Sequence, residues 1–572
     1  SCSLVGSEMC IRDSADLVIV NILWLVFCIP VFTIGASTAA MYRVTLNLVR
    51  GEGGGVVRSF WASFKLNFKQ GVLLFLILLI PTLLVIVEVE IYLSGAVAQS
   101  VWMGVIFCFP ALLVSLYHNE FKCVLAFGIS IAALLVIGQL MHMIKPKKRN
   151  IFVREGFAIV SLSWLAISLF GALPFFISRE IPNFIDCFFE TVSGFTTTGS
   201  SILSNVEALS KGLLYWRSFS HWLGGMGVLV FLLAVVPNGK DNDAQSLYIL
   251  RAESPGPTFG KLVSKMRQTA QILYIIYIAL TIIEIILLFA GGMPLFDSVL
   301  NSFATAGTGG FGIKNASIGA YDSYYLQGVI AVFMLMFGVN FNIYYLLLAR
   351  DFKLVFKNEE LRFYIITVLV SVTVIAINIR SMFSSWFDAF HHSFFQVSSI
   401  ITTTGFSTTD FSLWPELSRY ILVVLMLMGA CAGSTGGGLK VSRVLILFKA
   451  LRNEMQRVVH PRSVKVLRID GKVQNEALVR NVSMYLVAYV IVMIASTLLV
   501  SIDDFSFTTN VTAVISCMNN IGPGIDIVGP MGNFSGFSWF SKLVLSADMI
   551  IGRLEIFPVL ALFSPSLWKR CN

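Results

Sequence analysis

Long apolar runs alternate with short polar punctuation along nearly the whole chain. Residues 71–87, 124–143, 273–290, 329–348 and 484–500 are such runs. Each approaches or reaches the ~20 residues that cross a hydrocarbon core. Counting them predicts roughly ten to twelve spanning helices, and four shorter apolar segments read as half-helices. The half-helices recur in one order: spanning helix, short amphipathic segment, Thr- or Asn-rich stretch ending in glycine, second spanning helix. The first unit uses 152–177, 185–195 and 213–236; the second 271–290, 295–304 and 327–348. The third uses 361–379, 386–401 and 420–428, where the returning helix breaks; the fourth uses 481–500, 507–517 and 543–563. The fold class is an all-α polytopic membrane protein, four pseudo-repeats around a central pore, with further membrane helices at the N-terminus.

The polar stretches read Thr196-Thr197-Thr198-Gly199-Ser200, Gly307-Thr308-Gly309-Gly310-Phe311, Thr402-Thr403-Thr404-Gly405-Phe406 and Asn519-Asn520-Ile521-Gly522-Pro523. Non-helical backbone at membrane depth survives only where it lines water or is buried in protein. A glycine free to take positive φ lets successive carbonyls face one way, toward a dehydrated cation. Half-helices ending there aim their negative dipole ends at the same point. Thr-Gly punctuation also caps ordinary helices. Four such stretches at similar spacing, each followed by a span, point instead to a filter of Thr197, Thr198, Gly199, Thr308, Gly309, Gly310, Thr403, Thr404, Gly405, Asn520, Ile521 and Gly522.

Composition agrees with the membrane. Mean hydropathy is +0.81 and charged residues are 13%. The net charge of +9 gathers in short loops rather than on a nucleic-acid face. One cluster is Lys145, Lys147, Lys148 and Arg149; a second is Arg350, Lys353, Lys357 and Arg362. A third runs from Lys440 through Arg443, Lys449, Arg452, Arg457, Arg462 and Lys465 to Arg468. The positive-inside rule makes these loops cytoplasmic, so the Thr/Gly stretches enter from the outer face. Nine scattered cysteines carry no disulfide or zinc spacing. No nucleophile–base pair, metal cluster or phosphate loop is apparent, so an enzyme is not expected. Gly437-Gly438-Leu439-Lys440 lacks the Ser/Thr that a phosphate loop needs next.

Several polar residues stand at membrane depth. Gly429 to Gly438, with Gly433, Ser434, Thr435, Gly436 and Gly437 among them, cannot hold a regular helix at a cost of ~1 kcal/mol per Gly. That stretch reads as a mobile loop lining the path inside the filter, since small-residue helix packing needs no three consecutive glycines. Arg553 interrupts the last span. It is either a cation-repelling gate residue or half of a buried pair with Asp548 or Glu555. Lys440 is either part of the gate or a snorkelling helix-end lysine. Glu190, Asn301 and Gln396 precede their filter glycines by the same nine residues (199 − 190, 310 − 301, 405 − 396). Orienting the filter from behind and ordinary helix-packing hydrogen bonds are both open to them. His391 and His392 diverge by ~100° on a helix and cannot share a metal.

These residues resemble the TrkH/KtrB potassium-uptake proteins, whose superfamily includes fungal Trk and plant HKT transporters, and the likeness is closest to TrkH. It runs from about residue 107 to the end. It rests on Arg154-Glu155-Gly156-Phe157, Ser193-Gly194-Phe195-Thr196-Thr197-Thr198-Gly199 and Trp222-Leu223-Gly224-Gly225-Met226-Gly227. Further on are Gly338-Val339-Asn340-Phe341-Asn342, Gly433-Ser434-Thr435-Gly436-Gly437-Gly438-Leu439-Lys440 and Gly552-Arg553-Leu554-Glu555. The resemblance implies inward potassium transport across the bacterial cytoplasmic (inner) membrane, with K+ as the transported ion and no organic cofactor on this chain. It also implies a homodimer in membrane lipid, regulated by a cytoplasmic TrkA-like nucleotide-binding ring; by position and charge alone, 239–267 and 452–472 are docking candidates for it. In HKT-like relatives a first-unit serine accompanies sodium transport; glycine at all four positions favours potassium. Sodium or mixed monovalent cation transport is the alternative. Passive conduction and proton- or sodium-coupled symport both suit such a pore.

The front end differs. Asn21-Ile22-Leu23-Trp24-Leu25, Pro30 to Thr38, Val49-Arg50-Gly51-Glu52 and Asn67-Phe68-Lys69-Gln70 resemble the start of a YesL-like membrane protein. Residues 1–14 resemble translated adapter or vector sequence. The expectation is a fused or misassembled reading frame, a non-native tail and a truncated YesL-like piece ahead of a transporter lacking only its very first residues, against a genuine fusion carrying a two-helix anchor. The division is therefore 1–14 tail, 15–105 YesL-like fragment and 106–150 helix hairpin. Pore units follow at 151–240, 268–350, 360–450 and 476–572.

Overall fold

The computed structural model describes residues 19–21, 23, 34–49, 55–66, 68, 96–143, 153–227, 266–462 and 466–562. The tail 1–14, the run 71–87, the cluster Lys145–Arg149, Lys465, residues 239–265 and much of 15–105 lie outside them. Near the front, α1 (Ile34–Val49) carries part of a small cluster of Val20, Ala40, Val44, Val56, Phe60 and Phe64. The hairpin α2 (Ala96–Tyr117) and α3 (Phe121–Met143) precedes the repeats.

Unit one comprises α4 (Val153–Gly171), the short α5 (Leu173–Ser178), the half-helix α6 (Phe184–Phe195) and α7 (Lys211–Gly225). Unit two has α8 (Met266–Ala290), half-helix α9 (Leu295–Ala306), α10 (Tyr324–Phe337) and α11 (Phe341–Leu348), then α12 (Phe352–Lys357). Unit three has α13 (Glu359–Ile379), half-helix α14 (Trp386–Ile401), α15 (Glu416–Met428) and α16 (Val441–Val459). An antiparallel hairpin, β1 (Arg468–Ile469) and β2 (Lys472–Val473), joins it to unit four. That unit has α17 (Glu476–Val500), half-helix α18 (Phe507–Asn519), α19 (Trp539–Arg553) and α20 (Phe557–Leu562). Side-chain caps start many of these helices: Asn183, Ser385 and Ser506 each accept a backbone N–H at the head of α6, α14 and α18.

Among the described residues five helical stretches are long and apolar enough to cross a membrane: 121–139, 160–178, 271–290, 359–382 and 476–503. The bent pair α10–α11 makes a sixth if taken as one span. The returning segments account for much of the difference from the count read off the sequence. Only the third was expected to break, yet α7 stops at Gly225, α10 meets α11 at a bend of 91° and α19 stops at Arg553. The ends of α7 and α19 pack closely against the half-helix ends. A Cβ on Gly224 would lie 1.9 Å from the Phe195 carbonyl oxygen, and one on Gly552 would lie 2.0 Å from that of Met518.

The units close on one another. One apolar cluster joins Phe195 and Leu223 of unit one to Val514 and Leu545 of unit four. Another joins Ile400 and Leu425 of unit three to Ile515 and Ile521 of unit four. Ala304 and Met334 of unit two share a third with Phe395 and Phe406 of unit three. Trp222 of unit one packs into the cluster of Tyr277 and Phe337 of unit two.

Candidate functional site

All four half-helices end in the same backbone motif. After α6, Thr197 N–H donates to Gly194 O at 3.1 Å and Thr198 N–H to Ser193 O at 2.9 Å. Thr308 and Gly309 repeat this on Thr305 and Ala304, Thr403 and Thr404 on Ile400 and Ser399, Asn520 and Ile521 on Cys517 and Ser516. These paired bonds form the Schellman closure, whose left-handed residue is usually glycine. Here it is Thr197 (φ 55°), Thr308 (53°), Thr403 (58°) and Asn520 (56°). Two residues later comes the glycine, again at positive φ: Gly199 (85°), Gly310 (74°), Gly405 (85°) and Gly522 (101°). A β-branched residue in the left-handed region is strained by ~1–2 kcal/mol. Such strain, repeated in unit after unit, marks a conformation that the surroundings impose.

The glycines make a ring. A Cβ on Gly199 would lie 2.0 Å from the Gly309 carbonyl oxygen, and one on Gly310 1.9 Å from that of Thr404. On Gly405 it would lie 1.9 Å from the Ile521 oxygen, and on Gly522 2.8 Å from the Thr198 oxygen. In every case the oxygen belongs to the residue before the next unit's glycine, and the fourth contact returns to the first unit. The structure thus brings the twelve residues of the sequence reading together at one place.

Side chains behind the ring differ from unit to unit. Thr196 and Thr198 share a hydroxyl–hydroxyl bond of 2.8 Å, and Thr402 and Thr404 repeat it. Unit two has no room for that pair, because His221 fills the space. A Cβ on Gly309 would lie 2.2 Å from His221 Nδ1, and one on Gly307 2.2 Å from the His221 carbonyl oxygen. The His221 ring stacks on Phe311 at 4.1 Å. In unit four the Asn520 amide donates to Thr198 Oγ1 at 2.9 Å and Met549 O at 3.0 Å, tying that loop to unit one.

Glu190 serves the backbone. It is fully buried, accepts from Ile202 N–H at 3.0 Å and from Ser201 Oγ, and pairs with Arg217 Nε at 2.8 Å. The Arg217 guanidinium lies 4.0 Å over the Phe311 ring. One ion pair therefore braces the segments that follow two filter glycines. Asn301, at the same offset, makes only long contacts, 3.5 Å to Tyr321 Oη and 3.6 Å to Met293 Sδ. Among the described residues the buried Gln396 amide has no hydrogen-bond partner. His391 faces Gln327 and His392 faces Thr408, so the two rings diverge.

The loop from Gly429 to Lys440 lies against the ends of the third and fourth half-helices. Gly437 N–H donates to Thr403 Oγ1 at 2.7 Å. A Cβ on Gly437 would lie 2.3 Å from the Asn519 oxygen, and one on Gly436 2.8 Å from the Thr402 oxygen. Gly433 O accepts from Phe341 N–H, and Ser434 Oγ turns back to Cys431 O. Thr435 Oγ1 donates to Phe337 O at 3.2 Å. Gly438 takes φ 78°. Lys440 Nζ reaches back to Gly436 O. Arg553 donates to Thr435 O at 2.8 Å, to Gly225 O at 2.7 Å and to Gly224 O, bridging the loop and the end of α7. The two carboxylates near it in sequence have other partners: Asp548 accepts from Ser496 at 2.6 Å, and Glu555 pairs with Arg443.

Arg217, His221, Glu360 and the Arg443–Glu555 pair were not singled out from the sequence. Their signal was present, since an ionisable residue inside or beside an apolar span is rare and must find a partner.

The family model for TrkH, described as a cation transport protein, matches residues 125–570. A second, a protein of unknown function called DUF624, matches residues 17–89. The chain is 37% identical to the Trk system potassium uptake protein TrkH of Escherichia coli K12 over 445 residues, 76% of this chain and 90% of that one. It is 32% identical to the Trk system potassium uptake protein TrkG of the same organism, over 82% of this chain and 96% of TrkG. The crystal structure of the potassium transporter TrkH from Vibrio parahaemolyticus superposes with a TM-score of 0.74 at 32% identity, covering 83% of this chain and 99% of that one.

Proposed function

This chain belongs to the TrkH family of cation transport proteins, and on that premise we propose that it takes up potassium through the four-glycine ring. It is a multi-pass membrane transport protein rather than an enzyme. The observation that carries the reading is the closed circle of contacts in which each glycine abuts the carbonyl before the next. Backbone carbonyls held around one axis replace the hydration shell of a cation. The proposed ion-binding residues are the twelve of the ring. Glycine at all four positions leaves no side chain to narrow it, which supports potassium over sodium.

The loop from Gly433 to Gly438, with Lys440 and Arg553, is the proposed gate. It packs under the ring, and Arg553 places a positive charge between the loop and unit one. A cation meets repulsion there while the loop stays in place. The Trk-system names of the relatives support a cytoplasmic TrkA-like regulator, and a homodimer is proposed with it. The basic stretch 452–472 is the proposed docking region.

Rubidium uptake into liposomes holding the full-length chain tests this, competed separately by potassium and by sodium. Block by potassium alone is the expected result. Equal competition by both ions would replace the potassium reading with a mixed-cation pore.

A further inference from the structure

Two adjacent carboxylates open α13 and serve opposite sides of it. Glu360 is buried and accepts the Ala432 N–H of the intramembrane loop at 2.7 Å. Glu359 pairs with Lys449 of α16 and accepts Asp470 N–H at 3.3 Å. Asp470 reciprocates: its carboxylate accepts Glu359 N–H at 2.8 Å and Asn358 Nδ2 at 3.4 Å. Asp470 and Gly471 have φ of 49° and 75°, the two-residue turn that closes the β1–β2 hairpin. The hairpin tip therefore sits on the N-terminus of α13, where free N–H groups and the positive dipole end hold a carboxylate. Lys449 also donates to Arg468 O at 2.8 Å. The hairpin, α16 and α13 meet at that one junction, and α16 continues directly from the loop.

We infer that the first turn of α13 is a relay between the cytoplasmic hairpin and the intramembrane loop, with Asp470 as its outer contact and Glu360 as its inner one. This rests on reading the loop as the gate. Other bonds fix the loop to unit two: Cys431 N–H to Gly338 O at 3.1 Å and Phe341 N–H to Gly433 O at 3.0 Å. The Glu360 bond instead leads outward, through neighbouring peptide units of one helical turn, to a surface that a cytoplasmic macromolecule can reach. Displacing the hairpin takes the Asp470 carboxylate off the Glu359 N–H and the Asn358 cap residue, which loosens the first turn and withdraws the Glu360 carboxylate from Ala432. Glu360 is thus a positioning residue for the loop. A double-mutant cycle measures the coupling between the two contacts.

The test is basal rubidium flux of the full chain in liposomes without any partner, with deletion of Gly436–Gly438 as reference. Glu360→Leu is expected to raise flux about tenfold, because the acceptor of the buried Ala432 N–H is lost. Glu360→Gln keeps an acceptor and is expected to stay within about twofold. Asp470→Ala is expected to raise flux about threefold, and the Glu360→Leu/Asp470→Ala double variant to match Glu360→Leu alone. Hydrogen exchange of residues 429–440 in Asp470→Ala is expected to speed up, which reads the relay even where Glu360→Leu folds poorly. An inert Asp470→Ala, or flux effects that multiply, overturns the relay while a leaky loop deletion upholds the gate. Unchanged flux in the loop deletion removes the gate reading itself.

Discussion

The glycine ring and the loop beneath it are in contact, yet they are built on opposite principles. In the ring the backbone repeats and the residues vary. The residue before the glycine is Thr198, Gly309, Thr404 or Ile521, while the signs of φ recur in all four units. At the break of the returning helix the reverse holds. Units two and four interrupt it only at 338–340 and 554–556, whereas unit three spends 429–440 on it. A ring that must present equivalent carbonyls from four sides tolerates sequence change but not conformational change. A gate, the role proposed for this loop, needs to be made once, so its length is free to depart from the repeat.

The comparison can be broken from either side. The largest effect is expected at the brace: Glu190→Ala strands Arg217 and costs about 3–5 kcal/mol, the range for breaking a buried pair. A melting temperature equal to that of the parent chain in detergent would show that the ring does not depend on it. Next, Gly199→Ser sets a side chain where a Cβ already meets an oxygen at 2.0 Å. A loss of potassium preference over sodium on the order of tenfold or more, ~1.4 kcal/mol or above, is expected in liposome competition. Gly522→Ala, with 2.8 Å available, should lose less; the opposite ranking would contradict the ring geometry. Deleting Gly436–Gly438 should raise leak roughly tenfold, ~1.4 kcal/mol, without altering the cation ratio. A changed ratio with unchanged leak would make the loop part of the ring. The smallest effect belongs to the contact between the two regions. Thr403→Val keeps the shape but removes the acceptor of Gly437 N–H, worth ~1 kcal/mol or about fivefold in basal flux. Thr403→Ser should restore it, and equal flux in all three chains would mean that the bond does not hold the loop.

Much of this architecture was legible in the order of residues alone. Apolar run lengths set the membrane, the repeated half-helix and Thr/Gly order set four units, and three consecutive glycines marked the loop. Those signals are local, since hydrophobic period and turn chemistry are written in neighbouring residues. Other features were decided only by the tertiary structure. The ends of the first, second and fourth returning helices pack on half-helix ends at Gly224, Gly338 and Gly552, contacts made between elements far apart in the chain. Glu190, Asn301 and Gln396 looked equivalent by offset, yet Glu190 has an arginine opposite it while the Gln396 amide meets no partner among the described residues. Unit two departs from Thr-Thr-Thr-Gly because His221, 88 residues upstream (309 − 221), occupies the space of a side chain at Gly309. Periodicity and turn residues record what a segment does to itself. Which partner it meets across the fold is recorded only where chains of contact close in space, and there the sequence offers residue types without addresses.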